Sequence, residues 1–191
     1  MIPNQQQIQE LWDTHNLPPE KRVHCARVAQ LAVWLAKKYQ ESRPETRIDI
    51  SLLEVAALLH DIDKKAVKKE GEHHPDAGVR ILTDAGMQEV ADIVRTHPLH
   101  AILDQNIAPR SIEEKLLYLS DKMVKYEIIT VDARFDLWRS EDLPPQARVT
   151  LEAAYPRVKA LEQEIFTTIQ REPHQAGMLA NGEETSTMKL T

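Results

Sequence analysis

The chain has one cysteine, Cys25, and only five glycines and two phenylalanines in 191 residues. A lone thiol excludes an internal disulfide framework and fits a reducing compartment. Scarce glycine, abundant Ala, Leu, Glu, Lys and Gln, and no sustained alternation of polar with β-branched residues set sheet architectures aside and point to an all-α fold. A basic excess is missing too. The formal net charge is −6, and without clustered Lys and Arg to neutralise phosphates no nucleic-acid partner is expected. A small anionic substrate stays open, because a bound metal brings its own positive charge. No apolar run comes near the roughly 18 residues of a membrane span. The N-terminal residues Met1 to Gln7 have neither the basic start nor the apolar core of a signal peptide. A cytoplasmic chain with no membrane partner, folded as a single-domain helical bundle, is the expectation.

What is present reads as a series of helices. A short one is expected over 5–13, ahead of Asn16-Leu17-Pro18-Pro19, where proline suits the first turn of the next helix. Over 19–40, Val28, Leu31, Ala32, Leu35, Ala36 and Tyr39 keep the 3.6-residue period, and His24, one turn before Val28, shares their inward face. Ile50 to Ile62 is apolar nearly all round, as in a helix at the centre of a domain. After the charged stretch 64–72, His74-Pro75 looks like a helix start, with a glycine cap near Gly86. Val90, Ile93, Val94 and His97 lie at i, i+3, i+4 and i+7, and Pro98 ends that helix. Ser111 and Glu114 form a capping-box signature for a helix carrying Leu117, Asp121 and Val124 on one side. A last long helix is expected over 144–171, with Pro156 inside it. The main unit is placed at 1–172, with its core at about 20–135, and a loose tail at 173–191.

Across these helices, metal-binding side chains recur on inward faces: His24, the pair His60 and Asp61, His97, and Asp121, with His74 at a helix start. Histidine and aspartate ending an apolar helix are costly to bury unless something pairs with them. Facing helices in a bundle build metal sites in this way, and imidazole with carboxylate suits Mn, Fe, Co, Ni and Zn alike. A metal-dependent hydrolase is the leading reading. His73 is a weaker alternative to His74, and His100 a weaker further candidate ligand. Cys25 is read as a buried structural thiol, because consecutive helix residues diverge by about 100° and it cannot share the face of His24.

The pattern His24, then His60-Asp61 within Ala56-Ala57-Leu58-Leu59-His60-Asp61-Ile62, then Asp121 within Leu117-Tyr118-Leu119-Ser120-Asp121-Lys122, resembles the HD-domain metal-dependent phosphohydrolases over roughly residues 20 to 135. His74-Pro75-Asp76-Ala77-Gly78, followed by His97, is similar to a six-ligand subgroup that includes bacterial dinucleoside tetraphosphate hydrolases. The resemblance implies one ion on His24, His60, Asp61 and Asp121, and a second on His74 and His97, with Asp61 bridging. It implies a divalent metal cofactor, two ions per chain, with Fe or Mn favoured over Mg, Co, Ni or Zn. It also implies a small anionic nucleotide substrate, cleaved at a phosphoester or phosphoanhydride by a metal-activated water, with a dinucleoside polyphosphate among the candidates. Asp61 and Lys64 take the catalytic roles, Lys64 on the substrate phosphate by its place in His-Asp-x-x-Lys. Two departures stand out. Asp63 replaces the family's usual glycine, which is expected to alter the turn but not the ligands, and the segments of cyclic-dinucleotide hydrolases are absent. The alternatives are a one-metal nucleoside monophosphate phosphatase, a module that senses a nucleotide or metal without turnover, and a di-iron oxygenase on the same scaffold.

Overall fold

In the computed structural model, residues 2–182 are described, and they form helices joined by turns, with no strand among them. The all-α expectation holds. None of these helices is long and apolar enough to cross a membrane.

Helix α1 (Gln5–Thr14) opens on an Asn4 capping box and is pinned to the centre by Trp12, whose Nε1 donates to Leu58 O at 3.0 Å. Helix α2 (Pro19–Ser42) starts with proline at its first position, where a missing N–H costs nothing, and buries Val28, Leu31, Ala32, Trp34 and Leu35. Helix α3 (Ile50–Leu59) lies at the centre, packed against α1, α2, α5 (Gln88–Arg95) and α6 (Ile112–Lys122). Its all-round apolar sequence is what a helix covered on every side requires. Expected to run to Ile62, it stops at Leu59, and the chain turns sharply from His60 through Asp63. That early stop frees His60 and Asp61 from helical divergence, so both side chains reach one place.

Helix α4 (Asp76–Asp84) begins two residues after His74, and Gly86, at φ +74°, closes it in the left-handed conformation that glycine adopts without strain. A short 3₁₀ turn, Leu99–Leu103, follows α5 and packs on α8 (Pro145–Thr168). Helix α8 passes through Pro156 as one element.

Two segments differ from expectation. Residues Val131–Ser140 form a helix, α7, capped by Thr130 and fixed at its first turn by Val131 N–H donating to buried Glu162. The segment expected to fray from 173 instead forms a 3₁₀ turn, Pro173–Gln175, and helix α9 (Ala176–Gly182), which buries Ala176 and Ala180 against α2. Its small side chains leave no periodic apolar stripe by which a helix could be recognised. A Cβ on Gly177 would lie 2.9 Å from Ile128 O, so glycine is what lets α9 approach this closely. The rest of the expected tail, 183–191, lies outside the described residues.

Candidate metal centre

All six residues singled out from the sequence converge. His24 comes from α2, His60 and Asp61 from the turn after α3, His74 from just before α4, His97 from just after α5, and Asp121 from the last turn of α6. His24 Nε2 and His60 Nε2 stand 3.1 and 3.4 Å from the same oxygen, Asp121 Oδ1. Asp61 faces both ways. Its Oδ2 lies 3.9 Å from His60 Nε2, while its Oδ1 lies 3.7 Å from His74 Nε2 and 3.9 Å from His97 Nε2. Two overlapping groups able to hold a cation result, one of His24, His60 and Asp121, the other of His60, Asp61 and His97.

The ring orientations follow from the second nitrogen of each imidazole. His60 Nδ1 and His97 Nδ1 sit 2.7 Å from Ala57 O and 2.6 Å from Val94 O, carbonyls three residues back, so each Nδ1 carries the proton and donates it. That makes Nε2 the lone-pair nitrogen, the form a metal takes; His60 Nε2 has no hydrogen-bond partner among the described residues, and His97 Nε2 lies 2.9 Å from His74 Nε2. His74 Nδ1 is held instead by Asp63 Oδ1 at 2.8 Å. Asp63 is fully buried, and this carboxylate–histidine pairing fixes the ring and strengthens its basicity. The residue that departs from the usual glycine therefore does more than alter a turn.

The donor set fits a divalent cation. At metal–ligand bonds of about 2.0–2.2 Å, neighbouring donors on one ion lie roughly 3 to 3.5 Å apart, close to the spacings here. His60 Nε2 is buried with no hydrogen-bond partner among the described residues, an orphaned lone pair aimed between two carboxylates. Burial pulls the His60 imidazole toward neutrality, but Cys25 and the Asp61 and Asp121 carboxylates outweigh it and raise its pKa well above the ordinary value. The site thus demands positive charge at that point, which a cation supplies as well as a proton does. His97 goes the other way. Burial, then the nearby His60 and His74, hold it well below its ordinary value and keep it neutral.

Burial pushes both carboxylates up, and cationic neighbours overcome it. Asp61 is lowered by His60 and Lys64, and Asp121 by Lys122 and the His24 hydrogen bond. Both stay ionised as ligands must.

A family model for the HD domain matches residues 22–125, more than half of the chain. The chain belongs to the HD-domain family. No curated protein and no solved structure matches it. HD domains bind divalent metals and are in general phosphohydrolases. Each histidine and aspartate of the HD pattern in this chain sits in the cluster just described.

Around the HD ligands stand three lysines. Lys64 Nζ is 3.2 Å from Asp61 Oδ1, so the residue expected on the substrate phosphate touches the shared carboxylate while lining the cleft. Lys21, one turn before His24, is 3.1 Å from Asp61 Oδ2, a contact the sequence reading missed although the i, i+3 spacing offered it. Lys122 is buried, and its Nζ donates to Asp121 Oδ2 at 2.5 Å and to His97 O at 2.6 Å. Burial lowers its pKa, with Asp121 opposing. His73 and His100 are exposed, whereas His74 Nε2 and His97 Nε2 stand 2.9 Å apart beside Asp61 Oδ1, so His74 and His97 are the two that come together. Cys25 is buried and forms no disulfide. The ligands open on a cleft of about 440 Å³, a size typical of small-molecule sites of roughly 300–1,000 Å³, whose far wall includes Lys125, Tyr126 and Trp138.

Proposed function

We propose that this HD domain hydrolyses a phosphoester or phosphoanhydride of a nucleotide at two divalent ions, with a dinucleoside polyphosphate as the preferred substrate. His24, His60, Asp61 and Asp121 would hold one ion and Asp61, His74 and His97 the other, with Fe or Mn suited to this imidazole and carboxylate set. The observation that carries two ions rather than one is Asp61, which turns Oδ2 toward His60 and Oδ1 toward His74 and His97. When bound, such ions polarise the phosphoryl oxygen and lower the pKa of water so that hydroxide is available near neutral pH.

The chain's own residues supply the rest. His60 and His97, locked by backbone carbonyls, present their Nε2 atoms without reorganisation. Lys64 and Lys21 flank the Asp61 oxygens, where their ammonium groups can meet the charge of an incoming phosphate. Tyr126, 77% exposed, and Trp138 offer aromatic faces beside the cleft on which a nucleobase can stack.

Metal analysis of the purified chain, joined to phosphate-release assays over nucleoside monophosphates and dinucleoside polyphosphates, tests this reading. Two equivalents per chain are expected, with one lost in His97→Ala and one in His24→Ala, and faster turnover of dinucleoside polyphosphates. A single equivalent untouched by His97→Ala would leave a monophosphate phosphatase. Nucleotide binding with no phosphate release would leave a sensing module.

A further inference from the structure

One cationic side chain in the cleft wall has no role in the cluster of ligands. Arg134 lies on α7, beyond the residues matched by the HD model, and is only 8% exposed while lining the cleft. Its guanidinium lies over the Trp138 ring at 3.9 Å, which fixes its position. Its Nε and Nη1 are buried, and among the described residues neither has a hydrogen-bond partner. Arginine cannot shed its charge to relieve this, and a buried ion left without a partner is strongly destabilising.

The nearby acids are committed elsewhere. Asp121 is held by Lys122 and His24, Glu141 pairs with Lys125 at 3.5 Å, and Asp136 and Glu152 pair with Arg139. The other cleft cations stand at the ligands themselves, Lys21 and Lys64 on Asp61, where the attacked phosphate belongs, and Lys122 on Asp121. Arg134 lines the cleft with its Nε and Nη1 donors uncommitted, and such a donor edge suits an anion that arrives with the ligand, its geometry matching phosphate.

We propose that Arg134 is the receptor for a second phosphate of the substrate, linked to the one that is attacked, and so selects nucleotides with at least two phosphates over monoesters. The inference rests on the two-ion hydrolase reading, because the attacked phosphoryl group belongs against Asp61 and its histidines. Arg134 forms no hydrogen bond or ion pair with any ligand residue and sits on a helix that contributes none. Its anion is therefore a different group of the same molecule. A monoester has no such group, and a phosphoanhydride has one.

The test compares AMP with α,β-methylene-ADP, whose bridge cannot be hydrolysed, by calorimetric titration into the full chain in excess magnesium. The two probes share base and ribose and differ by one phosphate. The wild type is expected to bind the two-phosphate probe about tenfold or more tighter, the worth of a charged hydrogen-bonded contact. Arg134→Gln is expected to bring the two affinities within about twofold of each other, and Arg134→Lys to fall between, keeping charge but losing the fork. Equal affinities in the wild type, or a preference that Arg134→Gln retains, overturn the proposal. If thermal melts show the Gln variant unfolded, the wild-type ratio and the Lys variant decide, and an undiminished preference in Arg134→Lys overturns it. Because binding is read without turnover, a preference that persists while no nucleotide releases phosphate overturns the hydrolase reading and leaves the Arg134 assignment standing.

Discussion

The two halves of the metal cluster are built to different standards. On one side, His24, His60 and Asp121 project from α2, the end of α3 and α6, helices packed on one another, and His60 is fully buried. On the other, His97 is buried but His74 is 24% exposed and hangs from the end of the charged loop 64–75. Helices and a helix end position the first group, and the Val94 carbonyl holds His97, but side chains position His74: Asp63 holds its ring, and the Glu72–Arg80 pair holds the loop. Sites held by rigid elements keep their geometry better than sites held by loops. The difference teaches that the geometry of the first group is part of the fold, whereas that of the second depends on a few polar contacts that single substitutions remove.

On the two-ion proposal Asp61 serves both halves, so Asp61→Asn should erase the contrast altogether. Both equivalents of metal are expected to be lost, with turnover falling further than the about 10–100-fold that loss of a ligand-supporting residue costs. Elemental analysis beside an activity assay checks it, and retention of one full equivalent would show the halves to be independent. Asp63→Asn sharpens the contrast. It should weaken only the ion at His74 and His97, by about 10–100-fold, read as a change in one of two steps in a metal titration. Equal weakening of both steps would mean that Asp63 supports the whole cluster.

The smallest effect is expected from Glu72→Gln. Arg80 first, then the Lys69 N–H, hold the Glu72 carboxyl at about 2 against an ordinary 4.5. A lowered carboxyl stabilises the fold above its ordinary value, and that contribution fades as pH falls from 4.5 toward 2. Melting temperature against pH should therefore drop a little less steeply over that window in Glu72→Gln than in the wild type. Lying at the surface and only half-buried, the pair adds little at neutral pH. A Glu72→Gln profile that parallels the wild type from pH 4.5 to 2 would remove the loop-pinning role of this pair.

Much of the better-built half could be read from spacing alone. His24 and Asp121 sit on apolar stripes of regular helices, and a histidine or carboxylate on such a stripe announces a buried partner. His60 and Asp61 were legible as the end of an apolar helix, although the helix stops three residues early and the turn, not the helix, brings the two side chains together. The other half was less open to reading. Asp63 looked like a lost glycine, because nothing in the sequence shows that a carboxylate eleven positions before His74 can reach its ring. Helix α7 escaped notice for a related reason. Val131, Phe135 and Trp138 follow a helical period, but Asp132, Arg134, Asp136 and Arg139 break a run of only ten residues. With α7 went Arg134, whose significance lies in what it fails to contact, a property no linear pattern contains.

Lys122 carries a last implication. Its ammonium group ties the carboxylate of one helix to the main chain at the end of another, Asp121 on α6 to the carbonyl of His97 after α5. This stitch is covalently part of the chain and remains after any chelator has done its work. Repulsion between bare carboxylates is thereby blunted at the spot where it would otherwise pry the bundle apart. The protein should accordingly survive stripping and be recharged with a different cation without passing through an unfolded state.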